Sequence, residues 1–268
     1  MRLTSLLLVE ERLFEAEYFC TRMRRARGSW SFGYDLNAFL SAARSTTFLM
    51  QKELSKVPGF ADWWRARRAR LGADPSARFF LELRNFSQKE GRVSLVGSRT
   101  GTRHWTHRFA GGGQPVPTSL LHRDVVDCCR EHLAKLAAVT LDCVEAFPYA
   151  SCPARALTRE GVDALRLTPA DIAAATGLPL AWMDVGDAVP WSERLRILRG
   201  HVDAVDIAAI QRLASFRPRR RREARRGSAR LGQAMLTSVV NRMEGGRIDV
   251  LGVAADLLTD VGSPDGGD

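Results

Sequence analysis

The chain has 268 residues, of which 45% are hydrophobic, and a formal net charge of +10. That is enough length and apolar content for one large domain or two smaller ones around a real core. The positive balance favours a polyanionic partner, nucleic acid first and an anionic membrane surface second. Almost all of that charge is arginine, the lysines being Lys52, Lys56, Lys89 and Lys135, so an arginine-rich composition accounts for it equally well.

Cys20, Cys128, Cys129, Cys143 and Cys152 are odd in number and irregular in spacing, which argues against a secreted disulfide framework. No C-x-x-C occurs, and no metal or cofactor is expected. Leu6–Val9 is apolar, but Glu10 and Glu11 follow at once, too soon for a signal-peptide core. No run of about 18 apolar residues exists, so no membrane span is expected; nucleic acid is preferred to a membrane as the partner, and a cytoplasmic location is expected.

In chain order, residues 3–26 read as a first helix ending in Arg22, Arg24 and Arg25, which suit the negative end of a helix dipole. Gly28 and Gly33 read as bracketing a turn. A second helix at about 35–56 repeats Leu36, Phe39, Leu40, Ala43, Thr47, Met50 and Leu54 on one face. Pro58-Gly59 breaks it, and a third at about 60–71 carries Trp63 and Trp64 before Arg65, Arg67, Arg68 and Arg70. The fourth has both ends marked: Asp74 as N-cap, Pro75 at the first helical position and Gly91 as the stop. The period then changes. Arg92–Gly97 and Arg103–Ala110 alternate and read as a β-hairpin within about 92–110. A long helix at about 119–146 follows, ended by Pro148. The expected fold is mainly α: an N-terminal helical bundle over residues 1–147 with a small β-hairpin insertion, a smaller basic helical region over 148–258, and a disordered tail over 259–268.

The fourth helix carries Arg84-Asn85 with Lys89 near its end. This arrangement resembles the R-N-x-x-x-H signature of HEPN-domain proteins, with Lys89 where that family has its catalytic histidine. The resemblance covers residues 1–147 at most. It implies an all-α bundle, often a homodimer, and in many members a metal-independent endoribonuclease. By the resemblance, Arg84 would stabilise the scissile phosphate, Asn85 would orient the site and Lys89 would stand at the general acid/base position. RNA cleavage by this route needs a group that takes a proton near neutral pH, as histidine does and an unperturbed lysine does not. The reading is therefore a non-catalytic, nucleic-acid-associated or partner-binding module on a degenerate HEPN-like scaffold, set by family analogy in bacterial stress or defence. The alternatives are an active endoribonuclease using Arg84, Asn85 and Lys89, and a DNA-binding regulator.

The regulator alternative rests on Leu167–Leu178, which resembles the first helix and turn of helix-turn-helix domains. Thr168 and Asp171 make a capping-box-like start, and Ala173 and Gly177 supply the small contact and the turn. The segment that would read bases, 179–185, holds no Arg, Asn, Gln or Lys. Farther on, Arg217, Arg219, Arg220, Arg221, Arg222, Arg225 and Arg226 form a run expected to bind phosphate backbones non-specifically, RNA more readily than DNA; a solvated linker is the equal alternative. His104, His107, His122 and His132 have no metal-ligand spacing and read as surface or structural residues.

Overall fold

The structure is a computed structural model and describes residues 3–26, 28–100, 104–110, 115–182 and 189–218. The chain divides into one compact unit over Met1–Pro218 and a second over Arg219–Asp268, which lies outside the described residues.

Four helices come first: α1 (Leu7–Arg25), α2 (Ser29–Leu54), α3 (Phe60–Ala73) and α4 (Pro75–Lys89). Strands β1 (Leu95–Thr100) and β2 (His104–Phe109) then pair antiparallel, with Leu95 opposite Phe109 and Gly97 opposite His107. The long α5 (Val125–Ala146) closes the bundle against α1, α2 and α4. The expected class, mainly α with a small β insertion, is what the chain adopts.

Local chemistry explains most boundaries. The Asp74 carboxylate accepts from the N–H groups of Ser76 (2.9 Å) and Ala77 (3.3 Å), and Gly91 past the other end of α4 takes φ of +108°. Asp124 does the same for α5, accepting from Val126 N–H at 2.9 Å, so that helix starts later than the apolar pattern alone indicates. α2 differs from expectation at its start. It runs through Gly33, where a turn was expected, because Phe32 and Leu36 are fully buried on one face. That burial outweighs the roughly 1 kcal/mol that a helical glycine costs.

After Pro148 the chain makes α6 (Pro148–Ser151), α7 (Pro153–Ala156), α8 (Arg159–Leu165), α9 (Pro169–Thr176), a 3-10 turn over Leu180–Trp182, α10 (Trp191–Arg199) and α11 (Ile207–Ala214). Leu157, Ile172 and Leu195 centre a small core of their own here. Residues 205–213 do not belong to it. Val205, Ile210 and Leu213 join the main core, Glu10 accepts the Asp206 N–H at 2.9 Å, and Arg212 grips Glu17 through two bonds of 2.5 and 2.8 Å. The boundary expected after residue 147 is thus not a seam in the core. The described C-terminal region packs α11 on α5 and returns to α1, where Arg212 meets a partner 195 positions away.

Gly161 marks a close approach in this region. A Cβ there would stand 2.4 Å from the Arg155 carbonyl oxygen and 2.6 Å from that of Ala156. Gly161→Ala is expected to destabilise the unit by about 2–4 kcal/mol, since backbone must shift to make room. Chemical denaturation checks this; an unchanged midpoint would contradict the packing of α7 on α8.

Candidate nucleic-acid interface

α4 seats itself by burying Phe79, Phe80 and Leu83, while Leu81 stays exposed. Arg84 follows on the next turn. It is partly buried, its Nη1 donates weakly to Asn85 Oδ1 at 3.4 Å, and its Nε is buried without an acceptor. Asn85 and Lys89 lie one turn apart and share a shallow depression with Glu82, Phe86 and Glu90. Arg84 is not one of its walls. Five residues on a helix amount to about 140° of rotation, so Arg84 and Lys89 point to different sides. Asn85 and Lys89 are brought together, while Arg84 touches Asn85 and adds its positive field to a group of arginines around Arg44.

That group surrounds a cavity of about 350 Å³ between α2, α3, α4 and α5. Leu40, Ala43, Phe80 and Leu136 give it apolar walls, Trp64 and His132 add polar atoms, and Arg44, Arg68 and Arg78 line it from three helices. Arg44 Nη1 donates to Thr47 Oγ1 at 2.8 Å. Partial burial, then the positive fields of Arg84 and Arg68, hold the Arg44 guanidinium below its ordinary pKa. Arginines nearby have carboxylates: Arg65 with Asp62 at 2.8 Å, Arg67 with Asp142 at 3.0 Å, and Arg78 with Glu82 at 4.0 Å. Among the described residues none lies within 4.0 Å of Arg44, Arg68 or Arg84. A second depression continues the first along α3, sharing Gln51, Trp64 and Arg68 and adding Phe60 and Arg65. The result is a groove with aromatic walls and uncompensated positive charge.

Two further polar atoms at the cavity are unsatisfied. The Trp64 indole N–H is buried without an acceptor, and His132 Nδ1 is buried without a partner. The His132 ring stacks on Phe80, centroids 4.4 Å apart and planes 10° from parallel. Burial first, and the Lys135 ammonium second, push its pKa down to about 3, so it is neutral at physiological pH. Lys135 itself reaches over to the Asp74 carboxylate and to Ser76, tying α5 to the start of α4.

The remaining expected residues fall as follows. Arg217 is exposed and donates to the carbonyls of Ala214 and Phe216, and Arg219, Arg220, Arg221, Arg222, Arg225 and Arg226 lie outside the described residues. Thr168 and Asp171 do form a reciprocal capping box, and Gly177 turns the chain with φ of +69°. The next segment is only a 3-10 turn over Leu180–Trp182, and 183–188 lie outside the described residues. His107 is a core residue, stacked on Phe32 at 3.8 Å. The five cysteines are buried free thiols, and burial pushes Cys20, Cys128 and Cys143 up to about 12. Among the described residues no three His, Cys, Asp or Glu side chains gather as metal ligands, and no helix is long and apolar enough to cross a membrane. Arg44, Trp64, Arg68 and His132 were not singled out together by the sequence. The one local hint was Trp64 and Arg68, a turn apart on α3.

Fold and groove together define a mainly α-helical protein with an arginine-lined cavity in its N-terminal bundle. Residues 6–99, which hold α1 to α4, Arg44, Arg68 and Arg84, are similar to the family of bacteriophage lambda protein ea47. No curated protein and no solved structure matches the chain.

Proposed function

We propose that this protein is a non-catalytic nucleic-acid-associated module, built on a degenerate HEPN-like scaffold, that holds RNA more readily than DNA and with little sequence preference. One observation carries the reading: Arg44 and Arg68 line one cavity from two helices, within the positive field of Arg84, without a carboxylate to neutralise them. Three cations held close together cost stability, and an external polyanion relieves that cost. The aromatic walls of the groove supply stacking surface beside the charge. The setting proposed is bacterial stress or defence, by analogy with the HEPN superfamily, and residues 6–99 are similar to a bacteriophage protein family.

Against the endoribonuclease alternative stands the lining of the Asn85–Lys89 depression, which includes no histidine and which Arg84 meets only through its 3.4 Å contact with Asn85. The purified protein is expected to leave a labelled single-stranded RNA uncut while retarding it. Wild type, Lys89→His and Arg84→Ala are compared in one cleavage assay. Cleavage by wild type that Arg84→Ala abolishes would contradict the non-catalytic reading.

A further inference from the structure

We propose that the cavity between α2, α3, α4 and α5 receives one unstacked nucleobase of a bound single strand, while Arg44 and Arg68 at its mouth hold the flanking phosphates. This rests on the nucleic-acid reading above and narrows it from polyanions in general to single strands with accessible bases.

Four observations point the same way. At about 350 Å³ the cavity stands near the lower end of the ~300–1,000 Å³ range of ligand pockets, suited to a base and its sugar and not to a duplex. Its walls carry flat rings: Phe80 and His132 lie parallel to one another, and Trp64 adds a third. Its buried polar atoms are unsatisfied. The Trp64 N–H wants an acceptor and His132 Nδ1 wants a partner, and both residues line the cavity. An unpaired buried donor is costly, and a ligand whose entry shifts these rings enough to reach it gains what the empty protein lacks. Finally, Arg44 and Arg68 lie at the cavity without carboxylate partners, whereas Arg65, Arg67 and the third lining arginine, Arg78, have them. An acyl chain would fill the apolar volume and leave the indole and imidazole nitrogens unpaired. A planar heterocycle has both a face to stack and an edge to bond, which is how single strands are gripped without strong sequence preference.

Gly72 allows the pocket to be closed without touching an arginine. It lines the cavity near the end of α3, and a Cβ placed on it meets nothing within 4 Å. Gly72→Phe therefore puts a ring into open space at a helical position that glycine does not favour. The experiment measures fluorescence anisotropy of a labelled single-stranded RNA of about 12 nucleotides. The comparison ligands are an abasic oligomer of the same length and charge and a duplex of the same sequence. Wild type is expected to bind the base-bearing strand at least about tenfold more tightly than the other two, as one stacked, paired base would confer. Gly72→Phe is expected to bring that strand down to the abasic level, with abasic binding unchanged, while Gly72→Ala keeps the preference. Circular dichroism confirms that each variant is folded.

Equal wild-type affinity for base-bearing and abasic strands would overturn the base pocket while leaving polyanion binding intact. A preference that survives Gly72→Phe in the folded variant would likewise overturn it. Absence of binding to all three ligands, or binding to anionic phospholipid vesicles in their place, would overturn both this inference and the reading beneath it.

Discussion

Exchanging Arg44 and Arg68 together for glutamine is expected to weaken binding of single-stranded RNA roughly ten- to a hundredfold at about 50 mM salt. The same exchange is expected to leave the protein as stable as before or slightly more stable. The two expectations have one cause. Arg44 carries its charge partly out of water and within the fields of Arg68 and Arg84, so its protonated form is disfavoured in the free protein. Glutamine keeps much of the stem and a donor for Thr47 while removing the repulsion. Had these arginines been structural, their loss would lower the melting temperature and leave RNA affinity alone. Anisotropy titration and a thermal melt of the same preparations separate the two. A melting temperature that falls with affinity intact would contradict the assignment.

A second large effect is expected from acid. Between pH 7 and pH 4 the compact unit is expected to lose roughly 3 kcal/mol of stability on account of His132. Its pKa is pushed down to about 3 in the folded state, from 6.5 ordinarily, first by burial and then by the Lys135 ammonium. Between those two values the unfolded chain binds a proton that the folded chain refuses, so stability falls as pH falls through that window. His107, lowered by burial, acts in the same direction. Asp74, held at about 2 by Lys135 and Ser76 despite burial that opposes them, takes over below about pH 4, where the unfolded carboxylate protonates first. Glu10 and Asp124 are raised by burial and offset part of this within the carboxylate range. Denaturant melts from pH 7 to pH 4 on wild type and His132→Phe isolate the histidine. The variant's curve is expected to be flatter by the stated amount. Parallel curves would contradict a neutral, buried His132.

The sequence made some of this legible, for reasons tied to range. The ends of α4 are written in adjacent residues, Asp74-Pro75 and Gly91, whose capping and backbone preferences act locally. The hairpin shows itself by the change of period after Gly91. The start of α2 was hidden because it depends on Phe32 meeting His107, a contact between distant segments. The return of α11 was hidden for the same reason. Ile210 and Leu213 look like any short amphipathic turn until Glu10 and Glu17 are placed beside them. The candidate site divides likewise. A motif drew attention to Arg84, and the motif's partner Lys89 proved to face elsewhere. Arg44, Arg68, Trp64 and His132 come from three helices, and no spacing along one helix reveals that they share a cavity. The run from Arg217 to Arg226 remained the loudest signal in the sequence because charge density needs no fold to be visible.

The central claim is that the arginine-lined groove of the N-terminal bundle holds the nucleic acid. Its most direct test is the slope of log affinity against log salt concentration for single-stranded RNA. Three proteins are compared: wild type, the Arg44→Gln/Arg68→Gln pair, and a variant with Arg219, Arg220, Arg221 and Arg222 changed to alanine. Each phosphate contact on a single strand contributes about 0.7 to the slope, so the groove pair is expected to flatten it by about 1.4. A slope unchanged by the groove pair and collapsed by the four alanines would contradict the claim and place binding on the 217–226 run.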